Sequence, residues 1–263
     1  VEVQKLLPAN RGENDYFGTS VSIDGNYIVV SADIEDHDEF DLDSVNNAGS
    51  VYIFERNVSG VWNQIQKIVA SDREENARFG SSVSIQGNYL AVGAYGEDKD
   101  ALGLDTLSGA GATYMFKRNG SGVWEEVQKL VASDRGSGDR FGYNLSMENN
   151  YLVIGATYED DDTSNMNPLS SAGSAYVFEL DKNNLWKEKQ KIIANDRAAG
   201  NYFGYNVDVS ENTIVIGSIG NTLDSFNQNL LKGAGAAYVF ELDNSNSFIQ
   251  TSKLVASDRD SNN

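Results

Sequence analysis

Cysteine is absent from the chain, histidine occurs once and proline twice in 263 residues. Without cysteine there is no disulfide, no thiolate metal site and no cysteine nucleophile. With His37 alone and no Gly-x-Ser-x-Gly turn, a nucleophile paired with an imidazole base cannot be assembled. Long apolar runs are missing too: none approaches the ~18 to 20 residues a helix needs to cross a bilayer, so direct membrane insertion is not expected. Positive charge is scarce, 20 Lys and Arg against 39 Asp and Glu, for a net charge of −19. A field of that sign repels nucleic-acid phosphates and anionic lipid and attracts cations. Apolar residues show no helical period, so the 40% of the chain that is hydrophobic must be buried by strands.

What the chain does have is a repeat. Phe17-Gly18, Phe79-Gly80, Phe141-Gly142 and Phe203-Gly204 recur at a fixed interval of 62 residues. Lys5, Lys67, Lys129, Lys191 and Lys253 keep the same interval, as do Arg11, Arg73, Arg135, Arg197 and Arg259. A period without insertions means one supersecondary unit copied in tandem. The organisation expected is a single repeat domain over 1–263, with repeats at 17–78, 79–140, 141–202 and 203–263. Residues 1–16 would then supply the outer strand of a preceding blade. Every chemically interesting position is repeated, whereas a catalytic centre would need residues that break the pattern; no enzyme is expected.

Each copy contains four strand-like runs. The first alternates, as in Val21 and Ile23 against Ser20 and Ser22. A tight turn (Asp24-Gly25-Asn26 in the first copy) leads to a nearly continuous apolar run, Tyr27 to Ala32, that reads as a strand covered on both faces. A polar loop precedes the third run, Gly49 to Phe54, and the fourth begins near Trp62, Trp124, Trp186 or Phe248. An all-β chain built of four-stranded antiparallel blades, with small residues on the first strand and aromatics near the fourth, suits a β-propeller. The fourth run appears five times, starting with Val1 to Leu7, and the other three appear four times, so a four-bladed ring would leave one strand without a place. Beginning at Val1 inside a repeat, the chain reads as a piece of a longer polypeptide.

The Phe-Gly pairs, Val92-Gly93-Ala94 or Ile154-Gly155-Ala156, and the run from Gly109 to Phe116 together resemble the FG-GAP repeat family, four times over. The Ala70-Ser71-Asp72-Arg73 segment is similar to its bacterial surface-protein variant. The resemblance implies a propeller like that of integrin α subunits, part of a larger ring or array of about seven blades. It also implies a secreted or cell-surface bacterial protein acting in adhesion, protein–protein interaction or assembly. Partners would be another protein or additional blades of the same or another chain. The family's calcium loop lies between the first and second strands; here that connection is only a hairpin, such as Gln86-Gly87-Asn88.

Acidity gathers instead between the second and third strands: Glu35-Asp36-His37-Asp38, Glu97-Asp98-Lys99-Asp100 and Glu159-Asp160-Asp161-Asp162, followed by Asp43, Asp105 and Asn167. Calcium needs six to eight oxygens. Asp36, Asp38, Asp43, Asp98, Asp100, Asp105, Asp160, Asp162 and Asn167 are therefore the candidate ligands of a Ca2+ ion stiffening each loop, against the alternative of solvated acidic loops. The fourth copy, Asn221 to Asp224, has lost most of the set. Phe40, Tyr95 and Tyr158 lie in the same loops and suggest glycan stacking as a second function; a polysaccharide-active enzyme is third. The Asp-Arg pairs, at Asp72-Arg73, Asp134-Arg135, Asp196-Arg197 and Asp258-Arg259, read as structural ties between blades. The repeated lysine reads as an edge-blunting or surface-paired charge.

Overall fold

In a computed structural model, which describes residues 2–10, 12–226, 228 and 230–257, every regular element is a β-strand. Blade 1 comprises β1 (Val21–Asp24), β2 (Tyr27–Ala32), β3 (Ser50–Arg56) and β4 (Trp62–Ile68). Blade 2 comprises β5 (Phe79–Gln86), β6 (Tyr89–Ala94), β7 (Ala112–Arg118) and β8 (Trp124–Leu130). Blade 3 is β9 (Phe141–Glu148), β10 (Tyr151–Ala156), β11 (Ser174–Leu180) and β12 (Trp186–Ile192), and blade 4 is β13 (Phe203–Ser210), β14 (Thr213–Ser218), β15 (Ala236–Leu242) and β16 (Phe248–Leu254). Each blade is a separate four-stranded antiparallel sheet with its strands in chain order. Turns at Gly25, Gly87, Asn149 and Glu211, all at positive φ, join the first two strands of each blade. A bulge recurs between the third and fourth strands, at Ile53/Phe54, Met115/Phe116, Val177/Phe178 and Val239/Phe240, and adds local twist at the same point of every copy.

The chain divides into two compact units, blades 1 and 2 up to Val131 and blades 3 and 4 from Ala132. Within the first, one face of blade 1 (Val29, Val51, Ile53, Ile68) packs on Phe79, Val83, Ile85 and Trp124 of blade 2. The second repeats this with Val153, Ala175, Val177 and Ile192 against Phe203, Val207, Val209 and Phe248. Burying each such side chain contributes roughly 1.5–3 kcal/mol, and the central strands are apolar on both sides because both faces are covered. The other face of blade 1 (Val30, Ala32, Tyr52, Phe54) is packed by Phe17, Ile28, Trp62 and Leu6 of the leading segment.

The Phe-Gly pair and the Ala-Gly pair before the third strand (Ala48-Gly49, Ala172-Gly173) are two halves of one contact. Phe79 N donates to Ala48 O at 2.9 Å and Phe203 N to Ala172 O at 3.0 Å. A Cβ on Gly49 would sit 2.0 Å from Phe79 O, and one on Gly173 2.1 Å from Phe203 O, so only glycine lets the neighbouring backbone in. Each phenylalanine ring then meets two rings of its own blade edge-on, Phe79 with Tyr114 at 5.5 Å and Phe116 at 5.9 Å. The first strand of a blade is a sheet edge, and its polar residues satisfy the next blade's edge. Ser20 and Ser22 accept from Val83 N and Ile85 N at 3.1 Å each, and Asp24 from Gly87 N at 2.6 Å. Asn144, Ser146 and Glu148 serve Val207, Val209 and Glu211 likewise.

The leading segment has no assigned strand over Glu2–Leu7. Its Gln4 nonetheless clasps Trp62 through both backbone groups at 2.8 and 2.9 Å, as Gln66 clasps Trp124 and Gln190 clasps Phe248.

Candidate functional site

Two sets of polar residues meet at the end of each blade where the second strand runs into the acidic loop. The first is a buried charge cluster. In blade 2, Lys129 Nζ lies 2.7 Å from Asp72 and 2.9 Å from Glu97, and the Tyr114 hydroxyl donates to Asp72 at 2.7 Å. In blade 3, Lys191 lies 2.6 Å from Asp134 and 3.3 Å from Glu159, and the Tyr176 hydroxyl reaches both acids at 2.8 and 3.0 Å. In blade 4, Lys253 and the Tyr238 hydroxyl hold Asp196 at 2.6 and 2.8 Å, while Asn221 takes the glutamate's place and donates to the tyrosine hydroxyl at 2.8 Å. Blade 1 departs the other way. Asn10 replaces the aspartate and bonds to Asp41, and Asp41 with Glu35 holds Lys67 at 2.9 and 3.2 Å.

The repeated lysines from 67 to 253 are therefore buried, and the expectation of an edge or surface charge is corrected. Each sits beneath the aromatic layer, 5.2–5.8 Å from a tyrosine ring centre, where only paired charge is tolerated. Burial opposes the charge on Asp72, but hydrogen bonds from Lys129 and Tyr114 outweigh it and hold the carboxyl below its usual range. Glu97 is pushed up, since burial outweighs the pull of Lys129. Asp139 is pushed up to about 7 by burial and then by the charge of Glu159 beside it.

Arginine of the Asp-Arg pair reaches the other way. Arg73 donates to Asp36 O and, at 3.4 Å, to Asp43 O; Arg197 donates to Asp160 O at 2.5 Å and Asn167 O at 3.1 Å. The dipeptide thus ties the acidic loop of one blade to the lysine cluster of the next, a structural role as its spacing suggests. Arg11 and Asp258-Arg259 lie outside the described residues.

The second set is the loop carboxylates themselves, and the structure occupies them with the loop's own N–H groups. Asp36, Asp98 and Asp160 accept from Asn47 N, Gly109 N and Ser171 N, each at 2.6 Å. Asp38 Oδ1 accepts from Phe40 N and Leu42 N at 3.0 and 2.8 Å, and Asp100 Oδ1 from Leu102 N and Leu104 N at the same distances. Asp162 accepts from Ser164 N, Met166 N and the Asn167 amide at 2.8, 3.1 and 2.7 Å. Even the degenerate fourth copy keeps this staple through Asp224. Asp43 and Asp105 enter through their backbone, accepting from Asp38 N and Asp100 N at 2.9 and 2.8 Å. Hydrogen bonds, led by that from Leu42 N in Asp38 and that from Asn167 in Asp162, lower both carboxyls. Among the described residues no three His, Asp or Glu groups converge as a metal would require. His37 turns back onto Glu35, its Nδ1 at 3.1 Å.

Sequence reading grouped Glu35, Glu97 and Glu159 with the solvent-facing acids, yet they are the buried members of the lysine clusters. The signal that would have separated them is the shared period of Lys67, Tyr52 and Glu35 with their copies. Of the three loop aromatics, Phe40 is exposed, Tyr95 is half-buried, and Tyr158 stacks on Arg140 at 4.3 Å and meets Tyr202 edge-on at 5.4 Å.

No curated protein sequence matches the chain. Among solved structures, a crystal structure of a protein from Lactobacillus plantarum is similar in fold, with a TM-score of 0.52 at 10% identity, covering 92% of this chain and 57% of that one. This chain thus spans little more than half the length of that protein. The FG-GAP repeat model matches four times, at residues 1–54, 62–116, 124–178 and 186–240. Together with the Phe-Gly contact and the four tandem blades, that match is decisive: the chain belongs to the FG-GAP repeat family.

Proposed function

We infer that the chain is a non-enzymatic repeat module of a secreted or cell-surface bacterial protein, joined through its blade faces to further Phe-Gly blades and acting in adhesion or assembly. The observation that carries this reading is the far face of blade 4. Val215 and Leu254 are 39% and 53% exposed there, where their blade 3 counterparts Val153 and Ile192 are 0% and 2% exposed under blade 4. Gly235 keeps its positive φ, but a Cβ on it would meet nothing nearer than 3.6 Å. The result is an apolar groove of about 380 Å³ lined by Gly217, Ser218, Gly235, Ala237, Leu254 and Val255. Its outline is that of a socket for the backbone of another Phe-Gly pair, and contiguous apolar surface of this kind favours association.

The non-enzymatic reading is supported by what the shifted carboxyls do: Asp72 and Glu97 pair with a buried lysine, and Asp38 and Asp162 staple their own loops. The acidic loops are stiffened by their own hydrogen bonds, so calcium is proposed only as a loosely held counter-ion of these loops. Glycan binding is not favoured, because of the three loop aromatics Tyr158 is engaged by Arg140 and Tyr202 and Tyr95 is half-buried, which leaves Phe40 alone exposed.

Sedimentation velocity over a range of concentrations tests the reading. Concentration-dependent association is expected, and Val215→Lys with Leu254→Lys should abolish it without changing the circular dichroism. A monomer at every concentration counts against it.

A further inference from the structure

The loops between second and third strands end in tips that carry large apolar side chains into solvent. In the unit formed by blades 1 and 2 these are Phe40, Leu42, Leu102 and Leu104, exposed by 70, 84, 78 and 81%. The same places in the repeat hold the exposed Met166 and Phe226 in the other unit. Such exposure excludes a packing role, and a loop kept only for solubility would carry polar residues there. The Asp38 and Asp100 staples fix the backbone beneath all four side chains, so little ordering cost remains when a partner binds. The charge around the tips is negative. Glu39 and Asp43 are exposed beside Phe40 and Leu42, whereas Lys67 is engaged by Glu35 and Asp41, Lys99 by Glu74 at 3.2 Å, and Arg73 by the backbone carbonyls of Asp36 and Asp43.

We propose that these tips form a docking surface for a basic protein segment with aliphatic side chains. Its apolar residues seat on Phe40, Leu42, Leu102 and Leu104, and its lysines or arginines face Glu39 and Asp43. Charge complementarity selects this occupant: an anionic bilayer is repelled by the net charge of −19, and three of the four apolar residues are aliphatic and offer no ring for stacking on a sugar. The proposal rests on the reading of the chain as a protein-binding module but uses a surface distinct from the blade faces.

The probe is a fluorescent peptide of alternating leucine and lysine, with serine–lysine and leucine–glutamate peptides as controls, followed by anisotropy. The leucine–lysine peptide should bind the intact chain and weaken as salt rises. Phe40→Ser, Leu42→Ser, Leu102→Ser and Leu104→Ser combined should weaken it at least about tenfold with no change in melting temperature, because the four side chains are solvent-exposed. Glu39→Lys with Asp43→Lys should weaken it as well. No binding, equal binding of the serine–lysine peptide, or unchanged binding by the fourfold variant would overturn the proposal. Self-association by sedimentation must survive in the fourfold variant; its loss would make the tips an assembly contact and also overturn it. Peptide binding that persists in the Val215→Lys, Leu254→Lys chain supports two separate surfaces.

Discussion

Blades 3 and 4 share a backbone plan and differ at a few buried positions, and those positions differ together. Blade 3 places Asp139 beside Glu159, two carboxyls in one buried corner, with Lys191 neutralising Glu159 and Asp134. Blade 4 has Asn201 and Asn221 at the corresponding places, both buried, and Lys253 neutralises Asp196 alone. The hydrogen-bond sense changes as well. The Tyr176 hydroxyl lies between two acids at 2.8 and 3.0 Å, whereas Tyr238 donates to Asp196 and accepts from Asn221. The cluster is thus conserved in shape but not in charge. What the two blades share is a buried lysine matched by acid and a tyrosine hydroxyl held on both sides; they do not share a fixed count of carboxylates.

The largest effect that would sharpen this comparison is steric. Gly173→Ala places a Cβ against the Phe203 carbonyl at positive φ and should cost at least about 3 kcal/mol. Gly235→Ala meets only ordinary van der Waals contacts and should cost about 1 kcal/mol. Equal losses in denaturant melts would show that blade contact is not what the glycine serves. Next comes charge. Lys191→Met strands two buried acids and should cost about 3–5 kcal/mol, whereas Lys253→Met strands one and should cost clearly less.

A smaller effect concerns pH. The pKa of Asp139 near 7 lies above its ordinary 3.8, so the folded state holds its proton more tightly than the unfolded chain. That contribution is fully present below about pH 4 and is lost as pH rises through about 7. Asp139→Asn, the blade 4 solution, should flatten the melting temperature across that window and raise it by a few degrees at pH 8. An unchanged pH profile would mean that the two carboxyls do not share a site. Smallest is the loop staple. Asp100→Ala should speed amide exchange at Leu102 and Leu104, at a cost of about 1 kcal/mol, with global melting nearly unchanged and the exchange rates insensitive to added calcium.

Strand number, order and turn positions were legible because period-2 alternation and a 62-residue interval leave few alternatives. The tie made by Asp72-Arg73 was legible in kind but not in direction, since neighbouring residues on an extended chain point opposite ways and spacing alone does not say which blade each meets. The burial of Lys129 was not legible. Its strand reads as an exposed outer strand with glutamates and glutamine around it, and only the arrival of Asp72 and Glu97 from elsewhere makes the position habitable. Nor was the hydrogen bonding of Asp38 and Asp100 to their own loops. A carboxylate that accepts two N–H groups of its own loop and one that awaits a cation have the same sequence spacing. Asn57 and Asn119 likewise accept from two backbone N–H groups of their hairpins, as Asp181 and Asp243 do in the other copies.

The two-part contact between Phe-Gly and Ala-Gly also bears on how such a chain can lengthen. Each 62-residue copy brings its own plug at one end and its own socket at the other, so a duplicated copy inserted in register inherits a finished interface on both sides. Growth by whole copies therefore demands no new surface. A duplication of any other length would place a side chain where a neighbour's carbonyl needs to be.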